Sequence, residues 1–288
     1  MPDLAAFFDL NDPLVQTALL PLAVGAGGAG LLRVLAGPGL GPRIAVVAAV
    51  LALLASYVAT LGLPPWPPRA AIHKIAYIAA LGTAIGFVLA LMPKLRGQAA
   101  PLALAGVVAA VLWLGWNRLG DFGANGPTLA TAGVAFAGYV VLYRTLGEAG
   151  DGQSEGVNAL VHAFGAGAIA LIGNSASLAQ LSFATVAALG GFMLWNWPKA
   201  RFAFGPVGAF GATGAVVAMT LQMAMFTRAS TSALMLLGLV AFADILARPL
   251  QPTVGAMAKA ARPLVQGLVA AVIVGAAIGL AYFLDEQP

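Results

Sequence analysis

The sequence predicts an all-α polytopic membrane protein, a bundle of about ten transmembrane helices. Three observations predict it. Of 288 residues, 61% are hydrophobic and 8% charged, with a mean hydropathy of +0.94. Ordinary globular domains carry roughly a quarter charged residues, so a chain this apolar needs lipid as its solvent. Apolar runs close to the ~20 residues that cross a bilayer recur along the chain. Finally, cations are shared unequally between alternate loops, which is how membrane orientation is written.

The runs fall at about 14–35, 43–63, 71–92, 100–116, 127–146, 157–174, 177–195, 204–226, 230–248 and 263–284. The first follows an acidic start (Asp3, Asp9, Asp12) without the basic region of a secretory leader, so it reads as a retained helix. Arg33 and Arg43 mark the break to the second. "GLPPWPPRAAIHK" at 62–74 then reads as a stiff, extended external loop with Trp66 at the interface, either a rigid turn or a partner-docking surface. Lys94 and Arg96 close the third run, Arg118 the fourth and Arg144 the fifth. Only "GNSAS" divides the sixth from the seventh, and two tightly joined helices fit better than one of nearly forty residues. Lys199 and Arg201 precede the eighth, Arg228 the ninth, and Arg248, Lys259 and Arg262 the tenth.

Loops after odd-numbered runs hold Arg33, Arg43, Lys94, Arg96, Arg144, Lys199, Arg201, Arg248, Lys259 and Arg262, ten cations. Those after even-numbered runs hold four: Arg69, Lys74, Arg118 and Arg228. Positive loops stay inside, so the expected protein has both termini outside, in the bacterial inner membrane with periplasmic ends. The expected organisation is one transmembrane domain over 1–288, with an acidic external N-terminus (1–13) and an external C-terminus (285–288).

Thirty-six glycines, clearest in "GAGGAG" at 25–30 and in Gly205, Gly208, Gly211 and Gly214, predict close helix packing through small faces. Scattered cations at a net charge of +4 do not predict nucleic-acid binding. Without cysteine there are no disulfides or thiolate metal sites, and His73 and His162 alone make no histidine-rich metal site. Asn158, Asn174, Gln180, Asn196 and Gln222 are expected to hydrogen-bond between helices.

The most informative stretch is "LWNWPKARFAFGPVGAF", 194–210. It resembles a loop of the polyprenyl-phosphate phosphosugar-1-phosphate transferases (the glycosyltransferase family 4 type that includes the phospho-N-acetylmuramoyl-pentapeptide transferases). That loop commonly runs N-F-P-P-A-K-I-F-L-G-D-x-G-S. Asn196, Trp197, Pro198, Ala200, Arg201, Gly205 and Gly208 fall in register, while Pro206 replaces the aspartate and Ala209 the serine. In "LALMPKLRG", Leu95, Arg96 and Gly97 match, but Pro93 and Lys94 take the places of the family's paired acids. "GVNALVHAFGAGA" keeps Asn158 and has His162 about where an acid belongs, and "FADILARPL" keeps Asp244 and Arg248. The family's histidine cluster is absent from "QPTVGAMAKAARP". The resemblance covers roughly 71–262.

The resemblance implies ten helices with a cytoplasmic active face and a Mg²⁺-dependent transfer. The departures remove the chemistry. Hard Mg²⁺ needs oxygen ligands, and a lysine ammonium has only donors. The resemblance therefore points to a transferase scaffold without catalytic residues, metal or cofactor. The function expected is binding of a polyprenyl phosphate or other anionic lipid, or service as a membrane subunit of an envelope or lipid-pathway assembly with a protein partner or a second copy. A small-solute transporter and a divergent active transferase are the alternatives. The expected lipid-phosphate residues are Lys94, Arg96, Asn158, His162, Asn196, Lys199, Arg201, Lys259 and Arg262, against the plainer reading that positive-inside orientation alone requires such cations. Asp244 and Arg248, at i and i+4, are expected to form a structural ion pair.

Overall fold

The structure is a computed structural model that describes residues 12–92, 97–123, 125–147, 152–251 and 256–285; for 119, 256–259 and 285 it describes the backbone alone. The Asp12 side chain accepts the Leu14 amide at 2.7 Å, occupying one of the orphan donors where the first helix begins. That helix, α1 (Val15–Leu35), opens in a π turn over Val15–Leu19. Next come α2 (Gly37–Ile44) and α3 (Val47–Leu61), which meet at a 49° bend, then α4 (Ala71–Leu91) and α5 (Ala99–Leu114). They are followed by α6 (Gly126–Gly147), α7 (Gln153–Ile172), α8 (Ala176–Asn196), α9 (Gly205–Phe226), α10 (Thr231–Leu250) and α11 (Ala256–Asp285).

Among the described residues there is no strand, and eight helices are long and apolar enough to cross a membrane. The bent α2–α3 pair makes nine if it is one span, and α5, at 16 residues, is shorter. The molecule is an all-helical integral membrane protein.

Three boundaries differ from the apolar runs, for physical reasons. Helix α7 starts at Gln153 rather than near 157, because its polar first turn is buried in protein: Gln153 and Glu155 are 7% and 3% exposed. Helix α11 starts seven residues before Pro263, because the "AMAKAA" stretch is made of strong helix formers that carry the helix through the proline. Helix α2 begins directly after α1, at Gly37 with φ +72°, a left-handed turn that glycine adopts without strain. The "GNSAS" break is a turn: Asn174 sits left-handed at φ 56°, and the Ser175 amide donates back to the Ala170 carbonyl at 2.8 Å.

Helix α9 is the most enclosed of the candidate spans and touches α3, α4, α5, α6, α7 and α8. Around it the other long helices form a circuit in which α1 packs on α3, α5 on α6, α6 on α10, α10 on α11, α11 on α7, α7 on α8, and α8 back on α1. Small residues set two of the tightest contacts. A methyl group on Gly86 would lie 2.6 Å from the Val207 Cα, and one on Gly82 2.8 Å from the Phe210 carbonyl carbon, so α4 and α9 meet backbone to backbone. Gly25 and Gly191 do the same for α1 and α8. In the first predicted small face, Gly28 abuts Ala48 and Gly30 abuts Trp195, so "GAGGAG" packs on two helices at once.

Two of the four minority-side cations finish helix ends. Lys74 Nζ donates to the Trp113 carbonyl of α5 at 2.6 Å, and Arg118 donates to the Met225 carbonyl of α9 at 2.7 Å, both at C-termini where a cation complements the helix dipole. The proline-rich loop is anchored to α4, since the Tyr77 hydroxyl donates toward the Pro64 and Pro65 carbonyls and Trp66 packs edge-on to Tyr77.

Candidate functional site

At the end of the bundle where α7 and α11 start and α6 and α10 finish, polar side chains from four helices converge. Helix α10 is irregular there: 3-10 turns at Gly238–Phe242 and Arg248–Leu250 flank one α turn, Ala243–Ala247. Irregular turns leave carbonyls open to outside donors, and Arg144 of α6 uses one, donating from Nε to the Ala241 carbonyl at 3.3 Å. The same guanidinium meets Asp244 at 2.8 Å and lies 5.5 Å over the Phe242 ring.

Asp244 therefore has two arginines. The expected i,i+4 partner, Arg248, stands at 3.7 Å with a side chain 70% exposed, whereas Arg144 is closer and only 23% exposed. From the sequence Arg144 counts only as a loop cation, because nothing there tells that α6 ends against α10.

Outside this pair lies a cleft of about 160 Å³, lined by Gln153, Ser154, Asp244, Arg248, Gln251, Arg262, Pro263 and Gln266. Its inner wall is a hydrogen-bonded set: Ser154 donates to the Gln266 side-chain oxygen at 2.9 Å, and the Gln266 amide donates to Asn158 at 2.8 Å and the Ser154 carbonyl at 3.0 Å. Gln266 is 4% exposed, and its place as a lone polar residue in an otherwise apolar run is the sequence signal that marks it. Deeper still, Arg144, Thr145, Glu155, Asn158, His162 and Thr213 line a small pocket of about 10 Å³.

The expected phosphate residues thus separate. Arg262 joins the cleft, while Asn158 stands in its inner wall and His162 lies behind it. Lys199 and Arg201 are exposed on the loop after α8. Lys94 and Arg96 lie outside the described residues, as does the Lys259 side chain.

Asn196 is a correction to the reading of it as helix-to-helix glue. It is fully buried, and its side-chain oxygen accepts the Arg201 and Phe202 amides at 2.9 and 2.8 Å while its amide donates to the Phe202 carbonyl at 3.0 Å. All three bonds fold its own loop, whose Trp197–Pro198 peptide is cis, and its carbonyl accepts from Gln153. Asn174 likewise forms a turn rather than a bridge.

No family model, curated protein or solved structure matches this chain.

The site's chemistry must then be read from its own groups. Two arginines and four amide or hydroxyl side chains line the cleft beside one carboxylate that Arg144 already engages, so hydrogen-bond donors and positive charge predominate there. Among the described residues no three His, Cys, Asp or Glu side chains are grouped as metal ligands.

Asn196→Ala removes three buried hydrogen bonds at once. The expected loss is about 2–3 kcal/mol of stability, read as a lowered Tm in detergent, with faster proteolysis of the 197–204 loop. Asn196→Asp keeps the two acceptor bonds but sets a carboxylate oxygen against the Phe202 carbonyl in a fully buried place, so its loss is expected to be at least as large.

Proposed function

We propose that the protein binds the phosphate of an anionic lipid in the Arg248–Arg262 cleft and performs no transfer on it. The carrying observation is the cleft itself: one arginine at the end of α10 and one near the start of α11, with no ion pair to Arg262 among the described residues. The same helices carry exposed Leu246, Leu250, Leu264 and Leu268, over which acyl or isoprenoid tails would run while the headgroup sits among the guanidinium groups. Polyprenyl phosphate is the headgroup that the family resemblance of the 194–210 loop suggests. The positive-inside bias supports placing this end in the cytoplasm of a bacterial inner membrane, with ten passes and periplasmic termini. Two of the four opposing cations, Lys74 and Arg118, have helix-capping roles, which sharpens that bias.

Native mass spectrometry of the purified protein tests the reading. A bound phosphate-bearing lipid is expected, and Arg248→Gln/Arg262→Gln is expected to lower its occupancy at least tenfold with the fold retained. Purification free of lipid phosphate, or equal occupancy in the double variant, defeats it. Release of UMP from UDP-sugars with Mg²⁺ would instead favour the divergent transferase.

A second reading, small-solute transport, draws on one observation: polar groups continue inward from the cleft to His162, about 13 Å along α7 from Gln153. Uptake of a solute into proteoliposomes, lost on His162→Phe, would select it.

A further inference from the structure

Behind the cleft, the lining of the small pocket includes two buried side chains whose polar atoms have no hydrogen-bond partner among the described residues, His162 Nδ1 and Thr213 Oγ1. They are 3% and 1% exposed, and they come from different helices, α7 and α9. An unmade hydrogen bond in so buried a place costs about 1–3 kcal/mol per group, so two in one pocket require an explanation.

Thr213 is informative because its neighbours behave otherwise. Thr83, Thr131, Thr145, Thr185 and Thr227 each donate their hydroxyl to the carbonyl four residues earlier, at 2.7 to 2.9 Å, and Thr220 donates to the one three earlier. Thr213 makes no such bond. It is the last residue of a π turn, Ala209–Thr213, set in the most enclosed helix of the bundle. Such single-turn insertions redirect side chains and occur mostly at functional sites. Here the turn's last residue shares a pocket lining with His162, whose Nδ1 also has no partner among the described residues.

The volume decides what fits. About 10 Å³ of accessible space corresponds to roughly one probe sphere, the least that holds a water molecule, and far less than any solute or headgroup needs. A water has two donors and two acceptors, so it satisfies Nδ1 in either imidazole tautomer and the hydroxyl as donor or acceptor. Asn158, Glu155, Thr145 and Arg144 on the same walls supply further polar neighbours.

We propose that this pocket is a binding site for one structural water, bridging His162 Nδ1 and Thr213 Oγ1 near the middle of the membrane. It stands on different residues from the lipid cleft and holds whether or not that cleft takes a phosphate. Arg144 borders the pocket and also grips Asp244 at the cleft, so one guanidinium links the two.

The chain has two histidines, which makes the test direct. With ¹⁵N-histidine in the full-length protein reconstituted in lipid, the His162 Nδ1 resonance, assigned by comparison with His73→Asn, is expected to receive magnetisation from a slowly exchanging water. Thr213→Ser keeps the hydroxyl and should keep that contact, whereas Thr213→Val should abolish it. A native spectrum with no water contact to His162 overturns the proposal, and so does a contact that survives unchanged in Thr213→Val. If the valine variant does not fold, the native spectrum and the serine variant still decide.

Discussion

The double substitution Gly82→Ala/Gly86→Ala is expected to destabilise the protein by more than about 3 kcal/mol, enough to lose monodisperse material in mild detergent. Each added methyl group meets main chain, not a side chain that can swing aside: the Phe210 carbonyl carbon at 2.8 Å and the Val207 Cα at 2.6 Å. Relief requires α4 and α9 to move apart. Because α9 is the central helix, that opens contacts to α3, α5 and α6 as well. In lipid the lost energy is chiefly close-range dispersion, since separated helices still have an apolar solvent. The control is Gly279→Ala, where nothing lies within 4 Å of the added carbon. There the better helix propensity of alanine should leave stability unchanged or raise it by up to about 1 kcal/mol. Equal effects at the two places would mean that the α4–α9 contact does not hold the bundle.

This contrast also marks how far the sequence could be read. Apolar length located the helices well because lipid exposure imposes it locally, and the "GNSAS" turn was visible because its residues carry their own turn chemistry. The glycine faces were visible as candidates, but their partners were not. Gly82 and Gly86 gain meaning only from Pro206, Val207 and Phe210, more than a hundred residues away. The site was half legible for a related reason. Its cations were counted as topological signals, which is a statement about loops, whereas Arg144 and Gln266 act across helix interfaces. The first turn of α7 falls outside the apolar run at 157–174, because hydropathy registers lipid contact and takes no account of a polar turn buried by protein. Asn196 was singled out from a loop pattern, and its observed work is to build that loop.

Asp244→Asn is the second large expected effect. The substitution keeps the shape and removes the carboxylate that Arg144 faces at 2.8 Å, in a partly buried pair with side chains 23% and 14% exposed. Breaking one partner of such a pair costs about 3 kcal/mol, because the bond lost is charge-assisted and largely shielded from water. Arg248→Gln acts on the same carboxylate from 3.7 Å with a side chain 70% exposed, so solvent screening holds its effect below about 1 kcal/mol. Thermal unfolding of the two variants in one detergent separates these outcomes. The coupling is then measured by Arg144→Gln/Asp244→Asn, whose loss should be smaller than the sum of its single substitutions by about 1–3 kcal/mol. If Arg248→Gln proved the more damaging, the i,i+4 pair legible in the sequence would be the one that matters and the α6–α10 bridge incidental. The geometry requires the reverse order, because charge is expensive in proportion to how far it lies from water.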